Sequence, residues 1–351
     1  GVVMNWLKLF TVVLILSSCS QGDRGKVYVT SQNSGVTVID LNSMEVVDEF
    51  KVGGFPRGIG LTKDGKYLVT ANKDDASISL VNVETKVIEK TIEVGINPEF
   101  VRIKDGLAFI STEPSSKGKP PAPGEQKHEE EEEDDEDRTP AKVSIVDLAL
   151  GEKVRDITAG PETEGIEFSK DGKQIIVTNE ADNTITVHDF ISGELIKTIS
   201  VEPYGKRPRG IKVSPNGEHY IATLEHSDNF IVLDRDFNHL KTVSTGKSPY
   251  GTSFNAEGDK LFVAAGKSKT LEVYDATDYS KIKDINIEGK RCWHFTFTPD
   301  NQDILLACGR SDEIVVVDVG DLAVEKRIPV AGIPWGIVSY PPAIGSLDQP
   351  R

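Results

Sequence analysis

Seven times along the chain an apolar run ends in Asp or Asn and is followed by a turn, at Asp40, Asn82, Asp147, Asp189, Asp234, Asp275 and Asp318. Five of the six intervals are 41 to 45 residues and the sixth, Asn82 to Asp147, is 65, so one unit is repeated and one copy carries an insert of about 23 residues. Within a unit the order is constant. In the second copy Pro56-Arg57-Gly58-Ile59-Gly60-Leu61 runs into a Lys63-Asp64-Gly65-Lys66 turn, followed by Tyr67-Leu68-Val69-Thr70, then Ile78 to Asn82, then Val87 to Val94. Short β-branched segments bounded by turn residues read as four antiparallel strands, A to D.

The A-to-B turns recur as Asp64-Gly65, Asp105-Gly106, Asp171-Gly172, Asn216-Gly217, Glu257-Gly258 and Asp300-Asn301. A tight hairpin needs positive φ, which Gly or Asn adopts at little cost. The Asp or Asn ending each C strand can accept bonds from the backbone just ahead of it and start the turn into D, so these seven residues read as turn formers. A single four-stranded sheet cannot bury both faces, whereas seven stacked radially cover one another. The expected fold is therefore an all-β, seven-bladed β-propeller. Its last blade is closed by strands from both ends of the chain, B, C and D from Val27 to Val52 and A from Pro334 to Ser339. The domain is expected over 27–340, with a tether at 20–26 and a C-terminal tail at 341–351.

The net charge of −16 disfavours general binding of nucleic acid or acidic lipid, which relies on Lys and Arg neutralising phosphates. Single-stranded nucleic acid held by aromatic stacking is a poorly supported alternative for the same reason. Much of the charge is local: 113–138 holds eleven acidic and four basic residues. This stretch belongs to an insert, 113–141, between strands B and C of one blade, where like charges and few apolar residues predict disorder. Its function as a weak cation site or a dock for a basic partner stands against a plain solvated loop. Since B-to-C loops and D-to-A connections share a face of a propeller, the insert should overhang the channel mouth.

An apolar run, Leu9 to Leu16, precedes Leu16-Ser17-Ser18-Cys19, the pattern of a secretory signal (1–19) ending in a lipobox, with Cys19 as the lipidated residue. That predicts an extracytoplasmic lipoprotein, periplasmic or at the cell surface, held by its lipid alone, with Ser20 favouring the outer membrane. Cys292 and Cys308 flank the Asp300-Asn301 hairpin and face each other across it, either as a disulfide or as two buried thiols.

Aligning the D-to-A junctions on their Gly-x-x-Pro frame selects one residue per blade: Arg57, Glu99, Glu164, Arg209, Tyr250, Trp293 and Trp335. Strand A is innermost, so these should ring one end of the channel, with a charged arc over four blades and an aromatic arc over three. Such a ring suits a small ligand with a planar or apolar body and polar substituents. It could equally be a packed plug. His294 borders the ring where other blades mostly have Gly. No nucleophile elbow, haem-attachment motif, clustered histidines or phosphate loop is present, and no catalytic residue, metal ligand or cofactor is assigned.

Tyr28-Val29-Thr30, Val38-Ile39-Asp40, Ile176-Val177-Thr178-Asn179, Pro208-Arg209-Gly210-Ile211 and Ser214-Pro215-Asn216-Gly217 resemble the YVTN family of seven-bladed β-propellers. That family includes surface and periplasmic proteins, relatives of the cytochrome d1 haem domain and the methylamine dehydrogenase heavy chain. Gly332-Ile333-Pro334-Trp335-Gly336-Ile337-Val338, with Lys290-Arg291-Cys292-Trp293, is similar to β-propeller proteins associated with pyrroloquinoline-quinone-dependent alcohol oxidation. The resemblance implies an accessory, non-catalytic protein serving an exported quinoprotein dehydrogenase or its electron carrier; the chain is expected to be a monomeric binding or scaffold protein whose partner is a small ligand or a protein such as a periplasmic dehydrogenase or cytochrome. The alternative is a lactonase-type hydrolase using mouth residues, which requires Glu, Arg and His to converge.

Overall fold

The computed structural model describes residues 22–115 and 138–347. The signal segment with Cys19, and 116–137 of the insert, lie outside the described residues. Seven four-stranded antiparallel sheets form a seven-bladed β-propeller. Blade 1 is the composite one: its A strand, Pro334–Tyr340, pairs with its B strand, Lys26–Ser31, through Val29↔Ile337 and Tyr28↔Val338. The A strands of blades 2 to 7 are Pro56–Leu61, Pro98–Lys104, Thr163–Phe168, Pro208–Val213, Pro249–Phe254 and Cys292–Phe297. Arg24 fastens the ring from outside, donating to Asp300 and Asp303 of blade 7 at 2.6 Å each.

The turn chemistry acts as the repeat predicts. Gly65, Gly106, Gly172, Gly217, Gly258 and Asn301 all have φ between +58° and +77°. Each of the seven C-strand Asp or Asn residues accepts backbone N–H groups two to four residues on, for example Asp147 from Ala149 and Leu150 at 2.9 Å.

The apolar core lies between blades rather than within them. Val69, Ala71, Ile78 and Leu80 of blade 2 meet Val101, Ile103, Ala108 and Ile110 of blade 3, and Val27, Val29 and Ile39 of blade 1 meet Leu305, Ala307 and Ile314 of blade 7. Burying both faces of each sheet in this way removes roughly 25 cal/mol of unfavourable solvation per Å² of apolar surface. D strands are the exposed outer edge, as Leu195–Ser200 shows along almost its whole length.

Glycines in strand A set how closely the blades meet at the axis. A Cβ on Gly58, Gly165, Gly210, Gly251 or Gly336 would lie 2.3 to 2.6 Å from the carbonyl oxygen of the next blade's ring residue. Two blades break this rule, with Phe100 and His294 at the equivalent positions.

Two regions depart from the sequence reading. Glu113 to Ser115, expected to start a disordered insert, are ordered, with Glu113 and Ser115 buried, because Glu113 turns into the mouth and Asn97 donates to both its carbonyl (3.0 Å) and its carboxylate (3.4 Å). Residues 341–347, read as a tail outside the propeller, return along the free inner edge of the blade 7 A strand. Phe297 N donates to Ile344 O at 2.9 Å and Ser346 N to Phe295 O at 2.8 Å. Since that edge faces the axis, the strap runs inside the channel and brings Leu347 into the apolar cluster of Tyr250, Trp293 and Trp335. Cys292 and Cys308 pair directly across their hairpin and form a disulfide.

Candidate functional site: the channel mouth

All seven ring residues are brought together at one end of the channel, and the ring is the innermost of three tiers. Two residues before each lies a residue at positive φ: Ile333, Phe55, Asn97, Glu162, Arg207, Ser248 and Arg291, in blade order. The residue directly after each B strand forms the third tier: Gln32, Lys73, Glu113, Glu180, Glu225, Gly266 and Gly309. The sequence reading used the first tier and missed the others, although both stand at constant offsets in the repeat. Charges concentrate in blades 2 to 5 in the ring and in the third tier, and stand in blades 4, 5 and 7 in the second. In blade 7 the third position must be Gly, because a Cβ on Gly309 would lie 2.1 Å from the Trp293 ring.

Together these residues enclose a cavity of about 170 Å³, lined by Gln32, Arg57, Glu99, Glu113, Glu162, Glu180, Arg207, Arg209, Glu225, Tyr250, Arg291, Trp293, Arg310 and Trp335. Drug-sized and larger ligands occupy about 300 to 1,000 Å³, so this cup suits a ligand of a few carbons up to about one sugar ring. Glu164 lies deeper, with Tyr250 OH donating to its Oε1 across the channel.

The ion pairs are dense. Arg57 pairs with Glu99 and takes a further bond to Gln32 Oε1 at 3.2 Å. Arg209 Nε donates to Glu225 at 2.6 Å, its Nη1 pairs with Glu180, and its guanidinium lies 5.0 Å from the Tyr250 ring centre. Arg207 reaches Glu162 (2.8 Å) and Glu180 (3.1 Å), and Arg291 reaches Glu225 at 3.3 Å. Against the penalty of burial, Arg209 and Arg291 pull the Glu225 carboxyl down to about 2.

Glu113 is the exception in this network. Burial, reinforced by Glu99 and Glu164, pushes its carboxyl well above the ordinary range despite Arg57 and Arg209. Burial likewise raises Glu99, with Arg57 opposing it. A raised folded pKa means that the Glu113 contribution to stability is complete below the unfolded value near 4.5 and is lost as pH rises through the folded value. Glu113→Gln is therefore expected to raise the melting temperature at pH 8 in metal-free buffer and to leave it nearly unchanged at pH 4. Calorimetry at the two pH values checks this.

His294 does not border the cavity. It is 1% exposed, packed edge-on against Trp335, Tyr250 and Phe100 at centroid distances of 4.4, 5.4 and 5.7 Å, with Nδ1 3.1 Å from Ser346 Oγ. It belongs to an aromatic floor below the ring, completed by the strap. Burial, then Lys212 and Arg209, push it down to about 3, so it is neutral at physiological pH. The convergence of Glu and Arg holds; that of His does not.

Comparison with known proteins reaches the same architecture. Residues 148–248, less than a third of the chain, match the family described as "Lactonase, 7-bladed beta-propeller". These residues include blades 4 and 5 and hence six of the charged mouth residues. A β-propeller family is supported. The protein NirF of Pseudomonas aeruginosa is 20% identical over 311 residues, covering 84% of this chain; the chain spans only 64% of that relative's length. Among solved structures, a functionally unknown protein from Desulfotomaculum acetoxidans superposes with a TM-score of 0.75 at 14% identity, covering 93% of this chain and all of the other. The periplasmic gluconolactonase PpgL of Pseudomonas aeruginosa gives 0.71 at 15% identity, covering 90% and 98%. At such identities the likeness is one of fold.

Proposed function

We propose that this propeller is a lactonase-type hydrolase acting at the channel mouth. The observation that carries the reading is Glu113, a buried carboxylate that faces the cavity, forms no ion pair among the described residues, and has its proton affinity raised by burial, as suits a general base. Arg57 and Arg209 stand on either side of the carboxyl cluster and can stabilise negative charge as it develops on a lactone carbonyl oxygen. Trp293 and Trp335 line the cavity and can pack against the ring of the substrate. Water gives its proton to Glu113 and attacks the carbonyl carbon; the ring C–O bond breaks, and the departing alkoxide recovers the proton. The partial match to the lactonase family and the gluconolactonase neighbours support this reading over a non-catalytic one.

Proton release by the purified protein on five- and six-membered sugar lactones tests it. Turnover is expected, with a loss of about 10²- to 10⁴-fold in Glu113→Gln. Absence of turnover at pH 6 to 9 overturns it.

A second reading is favoured by the ion pairing of Arg57, Arg207, Arg209 and Arg291 and by the sealed His294: a binding or scaffold module without catalysis, accessory to a quinoprotein alcohol oxidation system or its electron carrier. Saturable quenching of tryptophan fluorescence by a ligand that is not turned over, lost in Trp335→Ala, distinguishes it. Under either reading the proposed location is periplasmic, supported by the gluconolactonase neighbour's printed description. A lipid at Cys19 and an outer-membrane position are further proposals.

A further inference from the structure

We propose that Glu99, Glu113 and Glu164 form a calcium site at the base of the mouth. The inference goes beyond the hydrolase reading, because the site is built whether or not a lactone is the substrate. Each of the three carboxylates offers an oxygen within 4.8 Å of the others. Oxygens bound to calcium at about 2.4 Å can lie up to about 4.8 Å apart, so one calcium ion can reach all three. An all-oxygen set also suits a hard cation.

Acidic residues gather on many protein surfaces without binding a metal, but this cluster is buried, its three carboxylates being 1 to 4% exposed. Among the described residues one oxygen of the cluster, Glu164 Oε2, lacks a hydrogen-bond partner. Asn97 is held beside Glu113 by its own amide, which donates to the Glu113 carbonyl and carboxylate. Buried polar atoms are otherwise almost always paired, and one left open beside two further carboxylates marks a place for an ion.

The charges point the same way. Arg57 is taken up by Glu99, and Arg209 by Glu180 and Glu225 at short range, leaving Glu164 Oε2 3.6 Å from Arg209. Among the described residues Glu113 has no ion pair, and the Arg209 that Glu164 meets at 3.6 Å is shared with Glu180 and Glu225, so the cluster is under-compensated. Lys73 contributes a positive charge near Glu99 and reduces this deficit. A divalent cation balances it. A bound cation lowers the proton affinity of the carboxylates that hold it, so the base role proposed for Glu113 belongs to the calcium-free protein.

The test is isothermal titration of chelator-treated protein with calcium chloride, together with thermal melts. The acidic run 129–137 is replaced by Gly and Ser so that weak binding there is removed. One saturable site is expected, with a melting temperature higher by about 3 to 6 °C at a hundredfold excess over Kd. Glu164→Gln should weaken binding at least tenfold while still melting cooperatively without calcium; if that variant does not fold, Glu113→Gln serves. A flat titration of the insert-replaced protein, or full affinity in the folded variant, overturns the proposal. Because calcium binding is read without substrate, it can succeed where lactone turnover fails, and the reverse.

Discussion

Arg209→Ala is expected to destabilise the protein by about 3–5 kcal/mol, the range for breaking a buried ion pair by removing one partner. The guanidinium is 16% exposed and serves Glu180 and Glu225, which are 1% and 6% exposed. Arg207 at 3.1 Å from Glu180 and Arg291 at 3.3 Å from Glu225 cover part of the loss, which places the expected value near the lower end of that range. Contact with the Tyr250 ring is lost as well. Lys at 209 should not restore stability, since an ammonium cannot present the planar fork that reaches two carboxylates at once. Urea unfolding of the wild type, Arg209→Ala and Arg209→Lys measures the difference. A loss below about 1 kcal/mol, the scale of an exposed pair, would mean that water already screens the network.

The second large effect is acid sensitivity through His294. Its folded value, about 3, lies below the unfolded value of 6.5, so in this window the unfolded chain binds a proton that the folded chain does not. Stability therefore falls as pH falls, by about 1.4 kcal/mol per unit once below 6.5, and by about 2 kcal/mol in total between pH 7 and pH 5. His294→Phe, which keeps an aromatic ring among Phe100, Tyr250 and Trp335, is expected to lose about 2 kcal/mol less than the wild type over the same interval. His188 is also pushed down by burial and adds its own slope to both proteins, so the comparison isolates His294. Above pH 5 most unfolded-state carboxylates remain ionised and contribute little. Equal pH slopes for the two proteins would show that protonated His294 finds water or a carboxylate.

The His294 effect comes from a position where the repeat is broken. His294 and Phe100 replace the glycine that elsewhere lets a neighbouring carbonyl approach, and they close the channel below the ring instead. Arg209 occupies an ordinary ring position, but the carboxylates it serves come from the tier that follows the B strands. That tier was open to alignment in the sequence. Its importance was not, because the residue after a B strand looks like the start of a loop until adjacent blades bring seven such residues around one axis. Glu113 is the clearest case: in sequence it is the first acidic residue of a long acidic insert, and in space it is a wall of the cavity.

The chain's repeat by itself determined the number of blades, the four strands in each, the turns at Asp and Gly, and the closing blade made from both ends. These are local properties: strand alternation, positive φ and side-chain acceptance of backbone N–H groups act over two to six residues and are written into each copy. Only the tertiary structure decided which carboxylates are neutralised, that His294 is sealed beneath an aromatic floor, that Cys292 and Cys308 are joined, and that residues 341–347 enter the channel. The physical reason is that burial and charge compensation depend on atoms contributed by other blades. The same Glu is a solvated turn residue or a buried carboxyl according to what six neighbours place beside it.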